Sequence, residues 1–202
     1  MRRLIDILTA TIVLVLLAPV FLLISLIVII DSPGKPFYGG WRAGKDGRRF
    51  RMWKFRTMVA NADRIGSAIT TPNDRRITRV GSLLRKTKLD ELPQFFNLLL
   101  GDLTLVGPRP EDPGIADRYT PEQKQVLEVK PGITGPTQLR FTVIESEQIP
   151  DGADAHQYYV EHILEQKLRL DLEYLKQRNF LSDLRVVSQT VLLMARAISP
   201  GN

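Results

Sequence analysis

The sequence predicts a mostly helical α+β protein: a small domain with one β-hairpin and amphipathic interfacial helices, carried on an N-terminal apolar helix that enters a membrane. Three observations lead there. No charged residue occurs from Ile7 to Ile30, a stretch of 24 positions, which as a straight helix spans about 36 Å against a hydrocarbon core of roughly 30 Å. Residues 36 to 58 alternate on either side of Gly44-Lys45-Asp46-Gly47, with Asp-Gly as the turn signal. Apolar residues recur at helical spacing in three later segments: Ile77, Val80 and Leu84; Leu164, Leu168 and Leu175; and Leu184, Val187, Val191, Met194 and Ile198.

Composition sets the outer limits. A chain of 202 residues with 44% hydrophobic content suits one modest domain plus a membrane segment, because the apolar residues crowd at the N-terminus. The formal charge of +6 favours an anionic partner: nucleic acid, lipid headgroup or phosphorylated substrate. The lack of cysteine excludes disulfides and thiolate metal sites. His156 and His162 are six apart and share no helical face, which argues against zinc. Asp151-Gly152-Ala153-Asp154 lacks the ligand spacing of a calcium loop, and no dinucleotide fingerprint, Walker loop or internal repeat occurs.

In the apolar segment Pro19 removes a backbone hydrogen bond and predicts a kink near the middle. The run exceeds a signal-peptide core and has no small-residue cleavage site before Asp31, so it is expected to be retained. Arg2 and Arg3 precede it, and Lys35, Arg42, Lys45, Arg48, Arg49, Arg51 and Lys54 follow, so the positive-inside tendency draws both ends to the cytoplasmic side. Entry and return satisfies both ends; a kinked single-pass anchor satisfies one. After the hairpin, residues 59 to 76 read as a polar loop containing Thr71-Pro72-Asn73-Asp74. Arg85, Lys86 and Lys88 then cluster at the end of the helix that Ile77 begins.

The chain's centre is Lys88-Leu89-Asp90-Glu91-Leu92-Pro93-Gln94-Phe95-Phe96-Asn97, running on to Gly101-Asp102 and then to Gly107-Pro108-Arg109-Pro110. Asp90 is expected as an N-cap, Pro93 in the first helical turn and Gly101 as the stop, placing two carboxylates at the positive end of a short helix. Capping alone accounts for Asp90-Glu91; an anionic nucleophile or metal ligand is the alternative. A guanidinium on a stiff Gly-Pro-Arg-Pro turn favours the second reading, since carboxylates, arginine and a helix N-terminus together suit metal-assisted phosphoryl chemistry.

Thr120-Pro121-Glu122 opens a short capped helix, and Val129 to Gln138, with two glycines and two prolines, is expected to be an irregular loop. Tyr158 to Gln177 is expected to be helical. The stripe after Asp183, bordered by Arg185 and Arg196, fits either a core helix or one lying on a bilayer.

Leu89-Asp90-Glu91-Leu92-Pro93-Gln94, Asn97, Gly101-Asp102 and Gly107-Pro108-Arg109-Pro110 resemble the signature of the bacterial sugar transferases, the monotopic phosphoglycosyl transferases. Lys54-Phe55-Arg56-Thr57-Met58, Arg85 five residues before Asp90 and Pro131-Gly132-Ile133-Thr134-Gly135 extend the resemblance over nearly the whole chain. Two departures stand out: Ala18 precedes Pro19 where serine is usual, and Thr142 falls where an arginine is expected, leaving Arg140 as the nearest basic residue.

The resemblance implies a re-entrant membrane helix over 1–30, a catalytic domain over 31–202 and a place on the cytoplasmic face of the bacterial inner membrane. It further implies transfer of a sugar-1-phosphate from a UDP-sugar to a polyprenol phosphate such as undecaprenyl phosphate, with UMP released. On that basis Asp90 is the nucleophile, and Glu91 with Asp90 holds Mg²⁺. Lys54, Arg56, Arg85, Arg109 and Arg140 are the candidates for binding the donor's phosphates and nucleotide. The rival is a membrane-tethered basic protein that binds nucleic acid or anionic lipid without catalysis; no nucleic-acid motif supports it.

Overall fold

The expected apolar helix is two helices. In the computed structural model, which describes residues 2–62, 65, 74–141, 149–150 and 154–198, α1 (Arg2–Leu16) and α2 (Ala18–Asp31) meet at a bend of 63°. Pro19 lies in the first turn of α2, where its missing N–H would have had no intrahelical partner, and the break itself falls at Leu17. No single helix among the described residues is long and apolar enough to cross a membrane; the bent pair reaches that length only together.

Both ends of the pair rest on the same body. At the start of α1 the Arg3 guanidinium donates to the carbonyls of Leu98 (2.6 Å) and Leu99 (2.7 Å), and Arg2 pairs with Asp183 at 3.3 Å. Asp6, only 4% exposed, accepts from the Leu105 amide (2.9 Å) and the Thr104 hydroxyl (3.0 Å). At the end of α2, Asp31 accepts from the Val80 amide and Arg56 donates to the carbonyls of Val28, Ser32 and Pro33. Between these ends Phe21, Ile24 and Val28 pack on Phe55, Leu84 and Leu92, while Leu8, Ile12, Val15, Leu16, Leu22 and Leu23 stay exposed.

The hairpin forms as its pattern predicts. β1 (Phe37–Ala43) pairs antiparallel with β2 (Arg49–Phe55), and Asp46 and Gly47 take the positive φ values, 56° and 72°, that the turn requires. After a bridge between Met58 and Ile77, Thr78 caps α3 (Arg79–Thr87), so Ile77 lies just outside the helix its spacing suggested. A 3₁₀ turn, Leu89–Glu91, leads into α4 (Gln94–Leu100), which Gly101 ends with a φ of 94°.

The expected loop at 129–138 contains a strand. β3 (Thr104–Val106) and β4 (Gly132–Thr134) pair in parallel, and the Gly-Pro-Arg-Pro turn leaves β3 directly. The glycines of the two motifs explain one another: a Cβ at Gly107 would lie 2.7 Å from the Lys130 carbonyl oxygen, and one at Gly135 would collide with the Gly107 carbonyl.

α5 (Pro113–Ala116) follows, then a 3₁₀ segment, Gln123–Glu128, in place of the expected helix. Thr120 and Gln123 cap its start reciprocally. α6 (Pro136–Phe141), α7 (Ala155–Tyr158), a π turn at Tyr159–Ile163 and α8 (Leu164–Gln177) enclose the largest core, around Ile115, Phe141, Ile163 and Leu168.

The last helix, α9 (Phe180–Ile198), divides the stripe read from sequence: Val186 and Val187 pack against Val106 and Tyr174, whereas Leu184, Val191, Leu192 and Leu193 face outward. Residues 71–73, 142 and 151–153, singled out in the sequence, and the side chains of Arg196 and Ile198 lie outside the described residues.

Candidate active site

Asp90 does not cap a helix. Lys88, with φ 60°, ends α3 in the left-handed conformation, and the following 3₁₀ turn carries Asp90 and Glu91. Pro93 takes helical angles at the head of α4 and that helix has no side-chain cap. The turn drives Asp90 inward: the residue is 6% exposed, its Oδ1 has no hydrogen-bond partner, and its Oδ2 is 4.0 Å from Lys54 Nζ.

Three of the five sequence-selected cations converge on this pair. Lys54, at the end of β2, donates to Glu91 Oε1 at 2.8 Å, and Arg109 Nη2 approaches the same oxygen at 3.5 Å. Arg85, at the end of α3, donates to the Thr57 hydroxyl at 2.8 Å, and its charge acts on Asp90. Arg56 goes elsewhere, to the carbonyls that end α2. Arg140 lines a surface cavity of about 390 Å³ with Leu139, Gln189, Leu192 and Leu193.

The two carboxyls are driven apart. Burial pushes Asp90 up, and Glu91 adds to the rise; Lys54, Arg85 and Lys88 offset this only in part. Burial also pushes Glu91 up, yet the charges of Lys54 and Arg109 and the Lys54 hydrogen bond outweigh it and hold Glu91 well below the ordinary glutamate range. Glu91 is thus a fixed anion beside a desolvated aspartate with a bare oxygen, an arrangement that favours nucleophilic or metal-ligating chemistry over capping.

Sequence reasoning underrated Lys88 and missed a second layer. Burial lowers the Lys88 ammonium, and Glu91, Arg109, Asp90 and Lys54 all act on it, which places it in the same cluster. Behind the Gly-Pro-Arg-Pro turn, buried Asp171 accepts from the Arg109 amide (3.4 Å) and the Thr137 hydroxyl (2.5 Å). One turn earlier Lys167 donates to the Tyr159 hydroxyl (2.7 Å), which itself donates to Glu111, two residues past Arg109. Their signal was legible: Lys167 and Asp171 interrupt the Leu164-Leu168-Leu175 stripe on its own face.

This layer gives a pH prediction. Burial pushes Asp171 up to about 6, against the Thr137 and Arg109 hydrogen bonds. Above that pH the ionised carboxylate holds the Arg109 amide; below it the hold weakens by about 1 kcal/mol, a loss of roughly fivefold in any activity that depends on the turn. Asp171→Asn should therefore lose the same factor at pH 8 and flatten the profile around pH 6. An unaltered acid limb in Asp171→Asn would assign that limb to another group.

A buried Asp90 and a partly buried Glu91, with the charges of Lys54, Arg85, Lys88 and Arg109 acting on them, share a body with a bent apolar helix pair, an arrangement that can hold a phosphorylated group beside an apolar surface. The family model for bacterial sugar transferases matches residues 1–197, and the chain belongs to that family.

Relatives agree. The chain is 36% identical over 199 residues to the UDP-glucose:undecaprenyl-phosphate glucose-1-phosphate transferase of Escherichia coli (strain K12), covering 95% of this chain and 39% of that protein. It is 35% identical over 193 residues to the UDP-N-acetylgalactosamine-undecaprenyl-phosphate N-acetylgalactosaminephosphotransferase of Aeromonas hydrophila, covering 94% and 42%. With the exopolysaccharide production protein PSS of Rhizobium leguminosarum bv. phaseoli it shares 34% identity over 95% of this chain and 94% of that one. The chain thus spans about two fifths of the first two relatives, and nearly all of the third.

Proposed function

We propose that this chain transfers a sugar-1-phosphate from a UDP-sugar to undecaprenyl phosphate, an early membrane step in building a polysaccharide or other glycan. The observation that carries the reading is Asp90 Oδ1, a buried carboxylate oxygen with no hydrogen-bond partner, set beside four cations suited to a diphosphate. Asp90 Oδ1 attacks the sugar-bearing phosphorus; the bond from that phosphorus to the bridging oxygen breaks, and UMP leaves with the electron pair. An oxygen of the polyprenol phosphate then attacks the same phosphorus and displaces the Asp90 carboxylate, giving polyprenyl diphosphate sugar. Lys54 and Arg109, both on Glu91 Oε1, are placed to bind the donor's phosphate oxygens, and Arg85 and Lys88 add charge beneath them.

The residues fit Mg²⁺, which binds through one or two carboxylates with substrate phosphates supplying further ligands. Asp90 and Glu91 would be its protein ligands; among the described residues no three acidic or histidine side chains form a cage. Bound there, Mg²⁺ would neutralise diphosphate charge that the two carboxylates repel.

The bent pair is read as re-entrant, with both ends on the cytoplasmic face of the inner membrane. Arg2, Arg3 and Asp6 at one end, and Asp31 at the other, are tied to the domain that holds Asp90, which supports a shared side. A spanning helix would have to break those ties. Arg2→Cys and Ser67→Cys should both resist an impermeant thiol reagent in cells and react in inverted vesicles; opposite labelling of the two would mean a spanning anchor. Pro19→Ala costs the bent form nothing, but it supplies the N–H that a helix continuous through Leu17 needs and removes the ring that it would not tolerate; it should shift part of the population towards spanning, with activity falling in proportion.

The activity is tested with protein in detergent, undecaprenyl phosphate, Mg²⁺ and a panel of uridine nucleotide sugars, following UMP. Release with at least one sugar, dependent on the lipid for turnover, is expected. Silence across the panel, together with tight binding to anionic vesicles, would favour the non-catalytic basic protein.

A further inference from the structure

We propose that the nucleoside half of the donor lies along β1, its base stacked on Tyr38 and its polar edge turned to Arg42 and Asp112. The proposal rests on the reading of the donor as a UDP-sugar and assigns where the uridine goes. Residues opposite one another in an antiparallel pair share a face. Tyr38 is opposite Lys54, so its side chain emerges on the face from which Lys54 reaches Glu91. Phe37 and Trp41 have the other parity, and Phe37 stacks on Phe55 towards α2, which separates Tyr38 from the aromatic residues on the membrane side.

The ring is laid along the strand. A Cβ at Gly40 would lie 3.2 Å from Tyr38 Cε1, 3.6 Å from its hydroxyl oxygen and 3.7 Å from Arg42 Nη1. Gly40 therefore leaves the space that Tyr38 crosses, and Arg42 closes the far end. Half of Tyr38 remains exposed, at 49%, giving a π surface for a flat base.

The chain leaving the Arg109 turn runs beside the same strand: the Ala43 amide donates to the Glu111 carbonyl at 2.9 Å, and Arg42 lies 3.9 Å from Asp112. The track thus begins at Lys54 and Arg109, where the diphosphate is proposed to sit, and ends at Arg42 and Asp112. Four residue steps of strand carry the chain from Tyr38 to Arg42, roughly 13 Å. Arg42 and Asp112 supply donors and an acceptor for the edge of a base.

Titration of UMP and of inorganic pyrophosphate, alongside kinetics with the active UDP-sugar, tests this. Tyr38→Ala should weaken UMP binding about tenfold and leave pyrophosphate binding as in the parent protein. In turnover the greater part of the effect should fall on KM for the UDP-sugar, with KM for undecaprenyl phosphate unmoved. Tyr38→Phe should restore both, and Gly40→Val, which displaces the ring without removing it, should reproduce the loss. Equal weakening of UMP and pyrophosphate, or an effect confined to the lipid's KM, would overturn the assignment. Absence of UMP release by the parent protein would count against the transferase reading, while the UMP titration still decides the base site.

Discussion

Asp90→Asn is expected to lower turnover by more than about a thousandfold while the protein stays folded. The amide keeps the shape of a side chain that is 6% exposed, but its neutral oxygen is too weak a nucleophile to displace UMP from phosphorus. The neighbouring Glu91→Gln is expected to act differently. It leaves Lys54 and Arg109 without the anion that both approach, so it should raise the Mg²⁺ needed for half-maximal rate as well as slow the reaction. Steady-state UMP release across a Mg²⁺ titration separates the two variants. Substantial activity in Asp90→Asn would remove the aspartate from the chemistry, and an unchanged Mg²⁺ requirement in Glu91→Gln would remove Glu91 from the metal.

The largest expected loss of stability is at Asn97, which is fully buried in α4. Its Oδ1 accepts from the Trp53 amide at 2.9 Å, and its Nδ2 donates to the Arg51 carbonyl at 2.7 Å and to Asp102 at 2.9 Å. One side chain therefore ties β2 to α4 and to the turn that leads into β3. Asn97→Ala leaves these buried partners unsatisfied, at about 3 kcal/mol in total, which lowers Tm by roughly 6–12 °C for a chain of this size. Since β2 carries Lys54 and α4 follows directly from Glu91, activity should fall with stability. A thermal melt in detergent checks this; a shift below about 2 °C would mean that the hairpin is held by packing alone.

Local pattern made much of the fold legible. The hairpin, the stop at Gly101 and the bend near Pro19 each depend on residues close in sequence, and each formed. Of the misread elements, one depended on a distant partner and one on the conformation of a single residue. Gly132–Thr134 becomes a strand because Thr104–Val106 lies beside it, and nothing within 129–138 announces that neighbour. Asp90 reads as an N-cap locally, yet Lys88 in the left-handed region turns the chain so that the carboxylate points inward.

The same holds in the site. Lys54 and Arg56 share a strand parity, but β2 ends at Phe55, so Arg56 departs towards α2 and only Lys54 reaches Glu91. Asp171 and Lys167 stand out as polar residues on an apolar helix face, but what they hold, the Arg109 turn and Glu111, is set only by tertiary packing.

The proposed reaction requires Asp90 to become covalently attached to the phosphosugar before the lipid acceptor is engaged. The direct measurement is a rapid-mixing experiment with a UDP-sugar and Mg²⁺ but no undecaprenyl phosphate, quantifying UMP and the intact mass of the protein together. A burst approaching one UMP per protein, with a mass increase of one phosphosugar that maps to the peptide containing Asp90 and disappears on adding the lipid, is the predicted result. No burst and no added mass, in protein that turns over once lipid is supplied, would exclude the covalent step and establish direct transfer.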